Sequence, residues 1–117
     1  MDFFEEQVAL FKALSHPVRL AILEILCEGE ECVCHMEATL GLRQAYISQQ
    51  LMVLRDVGLV DNRRDGWNNF YYVVKPEIYA VLEAAAGVYG KSRSSQDKPF
   101  QLEHKPADCS CPKCAAG

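Results

Sequence analysis

LRQAYISQQLMVLRDVGLV, residues 42–60, is the stretch whose reading decides the fold. Ile47, Leu51, Leu54 and Val57 recur at three- and four-residue spacing and so share one face of a helix, while Gln44, Ser48, Gln49 and Arg55 fall largely on other faces. Gly58 ends that helix. Just upstream, CVCHMEATLG (residues 32–41) carries Val33, Met36 and Leu40 at the spacing of a short helix that stops at Gly41. Two helices joined by a tight turn, the second displaying Gln, Ser and Gln near its start, form the arrangement by which a helix enters a DNA major groove. Amides and hydroxyls at those positions can read base edges.

Working outward, Phe3, Phe4, Val8, Leu10, Phe11 and Leu14 predict a first amphipathic helix. Ser15, His16 and Pro17 interrupt it and supply a cap and an early-turn proline for a second helix, VRLAILEIL, that gives out at Gly29. His16 is expected to be structural, and Cys27, following Leu26, to pack as a small core hydrophobe. Beyond Val60 the pattern changes to VDNRR, a turn at Asp65 and Gly66, and the aromatic, β-branched run WNNFYYVV, which together predict a two-stranded hairpin. Pro76 opens an alanine-rich final helix, PEIYAVLEAAAGVY, whose apolar side wants a partner. The fold expected is mainly α with a small β-hairpin: a dimeric winged helix-turn-helix of five helices and a two-stranded wing. It occupies residues 1–90, and residues 91–117 form an aperiodic, cysteine-containing tail.

A chain of 117 residues has room for one domain, and 50% hydrophobic with 24% charged residues is the composition of a folded protein. The net charge of -4 taken whole argues against a protein that coats polyanions. Its distribution reverses that inference. Residues 1–42 balance at -6, whereas residues 43–75 balance at +2 and hold Arg43, Arg55, Arg63, Arg64 and Lys75, so positive charge gathers on the helix and hairpin meant for DNA. No basic leader precedes an apolar run, and no apolar run approaches the roughly 20 residues of a membrane helix, so a cytoplasmic protein with no membrane association is expected. Six cysteines in such a chain are expected as thiols rather than as three disulfides.

The stretches ALSHPVRLAILEIL, ECVCH, YISQQLMVLRDVGLV and RRDGWNNFYYV, in that order across residues 3–88, resemble the ArsR/SmtB family of metal-responsive bacterial repressors. The resemblance implies a homodimer joined through its first and last helices, recognition helices in successive major grooves of a double-stranded operator, wings along the backbone, and release of DNA when metal binds. Carried residue by residue, it places DNA contacts on Gln44, Ser48, Gln49, Gln50 and Arg55, and in the wing on Arg63 and Arg64, with Gly66 permitting the turn and Asn68 or Asn69 near the sugar edge. Many relatives have histidine where this chain has Gln50; an amide can still bond adenine, so base preference would shift. Cys32 and Cys34 match the family's CVC thiolate motif. On an ideal helix they point roughly 200° apart, so they can share an ion only at a distorted helix start. Some arsenic-type members add a cysteine three positions on, where this chain has Glu37, so further sulfur must come from elsewhere. Cys109, Cys111 and Cys114 of the tail are the source expected, and a thiolate set suits arsenite, Cd(II), Pb(II) or Zn(II). His35 and His104 are weaker candidates. The zinc-type site of other relatives, on the last helix, is expected to be missing because that helix has no histidine.

Rival functions fare worse. An enzyme would need a CxxC at a strand-to-helix junction or a nucleophile, carboxylate or glycine-loop constellation, and none is legible. A metal-buffer protein would not need the glutamines and clustered arginines. A repressor of the same fold whose thiols respond to oxidation remains the nearer alternative. No protein partner beyond a second copy is expected.

Overall fold

The computed structural model describes residues 2–94. The tail cysteines Cys109, Cys111 and Cys114, and His104, lie outside the described residues. The first three helices each begin at a side chain that satisfies an otherwise unpaired amide. Helix α1 (Phe3–Leu14) starts at Asp2, whose carboxylate accepts from the Glu5 N–H at 2.8 Å, with Glu5 and Glu6 in the first turn where acid suits the helix dipole. Helix α2 (Pro17–Ile25) starts at His16, whose Nδ1 accepts from the Val18 N–H at 3.2 Å, and Pro17 fills the first turn where no donor is required. His16 is therefore structural, as expected.

A single 3-10 turn, Leu26–Glu28, continues α2 to Gly29. It rotates the chain so that Leu26 enters the core while Cys27 faces solvent. This corrects the expectation that Cys27 is a core thiol: i→i+3 geometry places consecutive residues about 120° apart, so only one of the two can point inward.

A two-residue strand, β1 (Glu31–Cys32), runs directly into α3 (Val33–Leu40), which closes on Gly41 in the left-handed region (φ 67°), with its N–H donating to the Glu37 carbonyl at 2.8 Å. Helix α4 (Gln44–Asp56) follows after three residues, then the wing strands β2 (Val60–Asp65) and β3 (Asn68–Val73), and α5 (Ile78–Val88). The sheet order is β1-β3-β2, all antiparallel, with Glu31 opposite Tyr71, Cys32 opposite Phe70, and Asp65 opposite Asn68. The two-stranded wing is present; the added β1 strand was not legible because two residues carry no alternation.

The turn sits one residue later than the sequence suggested. Asp65 pairs in the ladder, and Gly66 (φ 61°) and Trp67 form the tip, with glycine first as a two-residue hairpin turn of the II′ kind requires. Trp67 is consequently fully exposed rather than in a strand.

The core is the convergence of stripes from α2, α3 and α4 with the base of the wing: Ile22, Leu23, Met36, Ile47, Leu51 and Leu54 have essentially no accessible surface. Burying such side chains stabilises by about 1.5–3 kcal/mol each. A second, smaller cluster joins Cys32 to Phe70 with Cys34 against it. By contrast, α1 and α5 keep much apolar surface outside. Phe3, Phe4, Val8, Phe11, Val88 and Tyr89 are each at least half exposed, and an open groove between α1, α2 and α5 is lined by Phe11, Leu14, Leu20, Val81, Leu82 and Ala85. Among the described residues, no helix is long and apolar enough to cross a membrane.

Candidate nucleic-acid interface and thiol site

Helix α4 presents its N-terminal residues according to its period. Ile47, Leu51 and Leu54 point into the core, which leaves Gln44 and Gln49 exposed and Ser48 half-buried on the outward side. Gln50 is placed differently from its sequence neighbours. It is 8% exposed, and its Oε1 accepts from Arg19 Nε at 2.9 Å. Arg19 also donates from one Nη to the Lys12 and Ala13 carbonyls at 3.1 and 3.0 Å, which ties the end of α1 and the start of α2 to the recognition helix. The Gln50 amide oxygen is thus already engaged within the subunit. Tyr46, on the same turn, is exposed, and its hydroxyl lies 3.2 Å from His16 Nε2.

Arg55 is at the other end of α4, exposed, with its Nε 3.6 Å from the Asp61 carboxylate. Eleven residues at about 1.5 Å rise separate it from Gln44 by roughly 16 Å. It therefore forms a separate outlying positive point.

The two wing arginines lie on opposite faces of β2, as the two-residue period of a strand demands. Arg63 sits opposite Phe70, its guanidinium 4.8 Å from the ring centroid, and makes a paired contact with Glu30, Nε to Oε2 at 2.8 Å and Nη2 to Oε1. That hydrogen-bonded carboxylate raises the Arg63 pKa above its ordinary value. Arg64 faces the other way, into a polar recess shared with Gln44 and Ser48. Asn69 is held by Asn62, whose Nδ2 donates to Asn69 Oδ1 at 2.8 Å. Sequence reasoning treated Arg63 and Arg64 as equivalent; the signal that separates them is their parity relative to buried Phe70.

The thiol pair occupies the junction of sheet and helix. Cys32 is not on the helix. It ends β1 in extended backbone (φ -81°, ψ 158°) and caps α3, its Sγ accepting from the His35 N–H at 3.2 Å. Cys34 lies in the first turn of α3. The change from extended to helical backbone between them brings the Cα atoms to 5.3 Å and the two sulfurs into a disulfide. The distorted helix start that sequence reasoning required is thus the end of a strand. Cys32 is buried and Cys34 half-buried. His35 is buried, with Nδ1 3.7 Å from a Glu31 carboxylate oxygen. Among the described residues, no group of three or more His, Cys, Asp or Glu is positioned to hold a metal ion.

Beyond α5, Arg93 returns to α2. Its Nε and Nη2 donate to the Glu24 carboxylate at 2.9 and 3.2 Å, its guanidinium covers the Tyr79 ring at 4.6 Å, and its backbone N–H donates to Glu83. The Glu24 bond raises the Arg93 pKa. Tyr79 donates to the Leu23 carbonyl at 2.6 Å, and burial, with smaller contributions from Cys27 and Glu24, pushes its phenol well above the usual value.

Comparison with known proteins agrees with this geometry. The family described as bacterial regulatory protein, arsR family, matches residues 16–62. A biofilm growth-associated repressor of Agrobacterium fabrum is 39% identical over 84 residues, covering 72% of this chain and 72% of its own. The crystal structure of Mycobacterium tuberculosis Rv0081 superposes with a TM-score of 0.68 at 37% identity, covering 76% of this chain and 90% of that one. A solution structure of the homodimeric winged helix-turn-helix DNA-binding domain Mb0332 of Mycobacterium bovis gives a TM-score of 0.66 at 27% identity, over 74% of this chain and 82% of that one.

Proposed function

The chain belongs to the arsR family of bacterial regulatory proteins, and from that premise we propose a homodimeric repressor that binds operator DNA and releases it when a thiophilic ion occupies Cys32 and Cys34. As a winged helix-turn-helix transcriptional regulator it is not an enzyme. The observation that carries the ion reading is the convergence of two sulfurs at the strand-to-helix step beside the start of α4.

In this reading Gln44, Ser48 and Gln49 read base edges, Arg64 contacts phosphate, and the exposed apolar faces of α1 and α5 pair across the dimer. Gln50, Arg55 and Arg63 act mainly by positioning, given the partners they already hold. The residues fit a soft ion in kind once the Cys32–Cys34 disulfide is reduced: two thiolates then stand at a helix start, where amide ends favour negative charge. Two sulfurs do not complete the site. Cys109, Cys111 and Cys114 of the 91–117 segment supply the remaining thiolates, and the ion is arsenite, Cd(II), Pb(II) or Zn(II). Such an ion regulates only by favouring the state that does not bind DNA, by about 1–3 kcal/mol for a 5–150-fold change.

The test is operator release under strong reductant. Stoichiometric release by arsenite or Cd(II), lost in Cys32→Ser or Cys34→Ser and weakened when the three tail cysteines become serine, supports the proposal. Release that occurs only with an oxidant overturns the ion reading. It would favour the second reading, a dithiol redox sensor, for which the Cys32–Cys34 disulfide speaks directly. There the two thiols lose two electrons and two protons to a low-molecular-weight disulfide, which becomes two thiols.

A further inference from the structure

Tyr46 stands in the first turn of α4, 37% exposed, with its hydroxyl 3.2 Å from His16 Nε2. The far side of the His16 ring fixes which of these two atoms donates. Nδ1 accepts from the Val18 N–H at 3.2 Å and so carries no proton. A ring with Nδ1 bare holds its proton on Nε2, and Nε2–H then donates to the Tyr46 oxygen. Toward His16 that oxygen is an acceptor, and its own O–H is left to donate outward. The cap of α2 thereby sets the polarity of a hydroxyl on α4, 30 residues away.

The side of α4 matters as well. Two residues of helix turn a side chain by about 200°, so Tyr46 lies across α4 from both Gln44 and Ser48. Those two share the polar recess with Arg64 of the wing. A helix of about 10–12 Å diameter fills a major groove about 12 Å wide and has one sugar–phosphate backbone along each flank. The wing serves one flank, and Tyr46 presents its donor on the other. Arg19, which reaches α4 at Gln50, has Nε on that amide and Nη1 on the Lys12 and Ala13 carbonyls.

We propose that Tyr46 donates a hydrogen bond to a phosphate of the strand opposite the wing, and that His16 is the positioning residue that holds its hydroxyl in the donating sense. The proposal rests on the reading of α4 as the helix that enters operator DNA. A phosphate oxygen only accepts, so it matches the orientation that Nε2–H imposes. A proton on Nδ1 instead would make Nε2 take the Tyr46 proton and turn the hydroxyl's lone pairs toward the DNA. The contact would place the duplex without reading it.

The test uses the full chain, kept reduced, and a duplex recovered by in vitro selection. Tyr46→Phe keeps the ring and removes the donor. Affinity should fall about 10-fold per subunit, about 100-fold for a dimer, as loss of a hydrogen bond to a charged group implies. The slope of log K against log salt should stay within about 0.3 of wild type, because no charge is removed. Neutral methylphosphonates are then placed one phosphate at a time through each half-site. At one position the penalty of Tyr46→Phe should shrink below about 2-fold, and at the others it should persist in full. A variant that binds like wild type overturns the proposal. So does a penalty that is the same on every modified duplex, which would make Tyr46 only a tether for α4.

His16→Asn keeps a capping oxygen for the Val18 N–H but has no ring to reach Tyr46. It should weaken binding at the same phosphate and add nothing to Tyr46→Phe; an additive loss overturns the assignment of His16. NMR of isotope-labelled histidine in the wild-type chain reads the tautomer directly, whether or not His16→Asn folds. Nε2–H is expected with and without DNA, and Nδ1–H overturns the proposal. A chain that selects no duplex overturns the DNA reading and this proposal with it, whereas a selected duplex bound equally by Tyr46→Phe overturns the proposal alone.

Discussion

Replacing Arg64 with glutamine should lower the salt dependence of operator binding far more than the same change at Arg63. The two residues are adjacent and identical in charge, and only their partners differ. Arg63 is held by both carboxylate oxygens of Glu30 and lies on the Phe70 ring, so the Arg63–Glu30 unit presents no net charge to DNA. Reaching a phosphate would require breaking the paired contact with Glu30. Arg64 is exposed and lines the recess beside Gln44 and Ser48. Each phosphate neutralised on B-DNA contributes about 0.9 to the slope of log K against log salt, so losing one contact from each of two subunits should reduce the slope by about 1.8. Between 50 and 200 mM salt that corresponds to a roughly 12-fold change in the ratio of wild-type to variant affinity. Anisotropy titrations of a labelled duplex, recovered by in vitro selection, across that salt range would measure it. The Arg63→Gln variant should change the slope by less than about half a unit, because the pair it breaks is already internally neutralised. Equal slopes in the two variants would refute the reasoning, since they would mean that Arg63 exchanges Glu30 for phosphate without cost.

Three other consequences can be checked. Gln50→Ala should leave base preference in a selected-site assay unchanged while lowering stability by about 1–3 kcal/mol in chemical denaturation, because it removes the partly buried partner of Arg19 Nε; Gln49→Ala should do the reverse. Tyr79 has its phenol raised by burial, so the fold disfavours the phenolate: its contribution to stability is fully present below the ordinary tyrosine value of about 10 and is lost as pH rises above it. Tyr79→Phe should flatten that alkaline fall in thermal midpoint, at the loss of about 1 kcal/mol at neutral pH for the missing bond to Leu23. The chain has one tryptophan, Trp67, fully exposed at the wing tip and on the edge of the recess. Its fluorescence should respond to operator and to a Cys34 adduct alike, and an emission unchanged by both would remove the wing tip from the DNA-facing surface.

Much of this was legible from residue spacing. The helix stripes, the stops at Gly41 and Gly58, and the hairpin around Gly66 are local consequences of period and backbone freedom, and they suffice to order five helices and a wing. The pairing of Cys32 with Cys34 was legible only as a condition, that the helix begin irregularly, because a two-residue strand has no pattern to detect.

What sequence alone determined, then, is everything that one helical or strand period can express: which stripe of α4 is buried, where elements end, and that positive charge gathers on residues 43–75. Tertiary structure decided which chemically equivalent side chains are at liberty to act. Gln49 and Gln50 are neighbours, as are Arg63 and Arg64, yet Arg19 and Glu30 take one of each pair. Those partners lie 31 and 33 residues away, and no local pattern encodes a contact over that separation. The same holds for the recess that puts Cys34 beside Gln44 and Arg64, since only the docking of β1 on the wing brings them together.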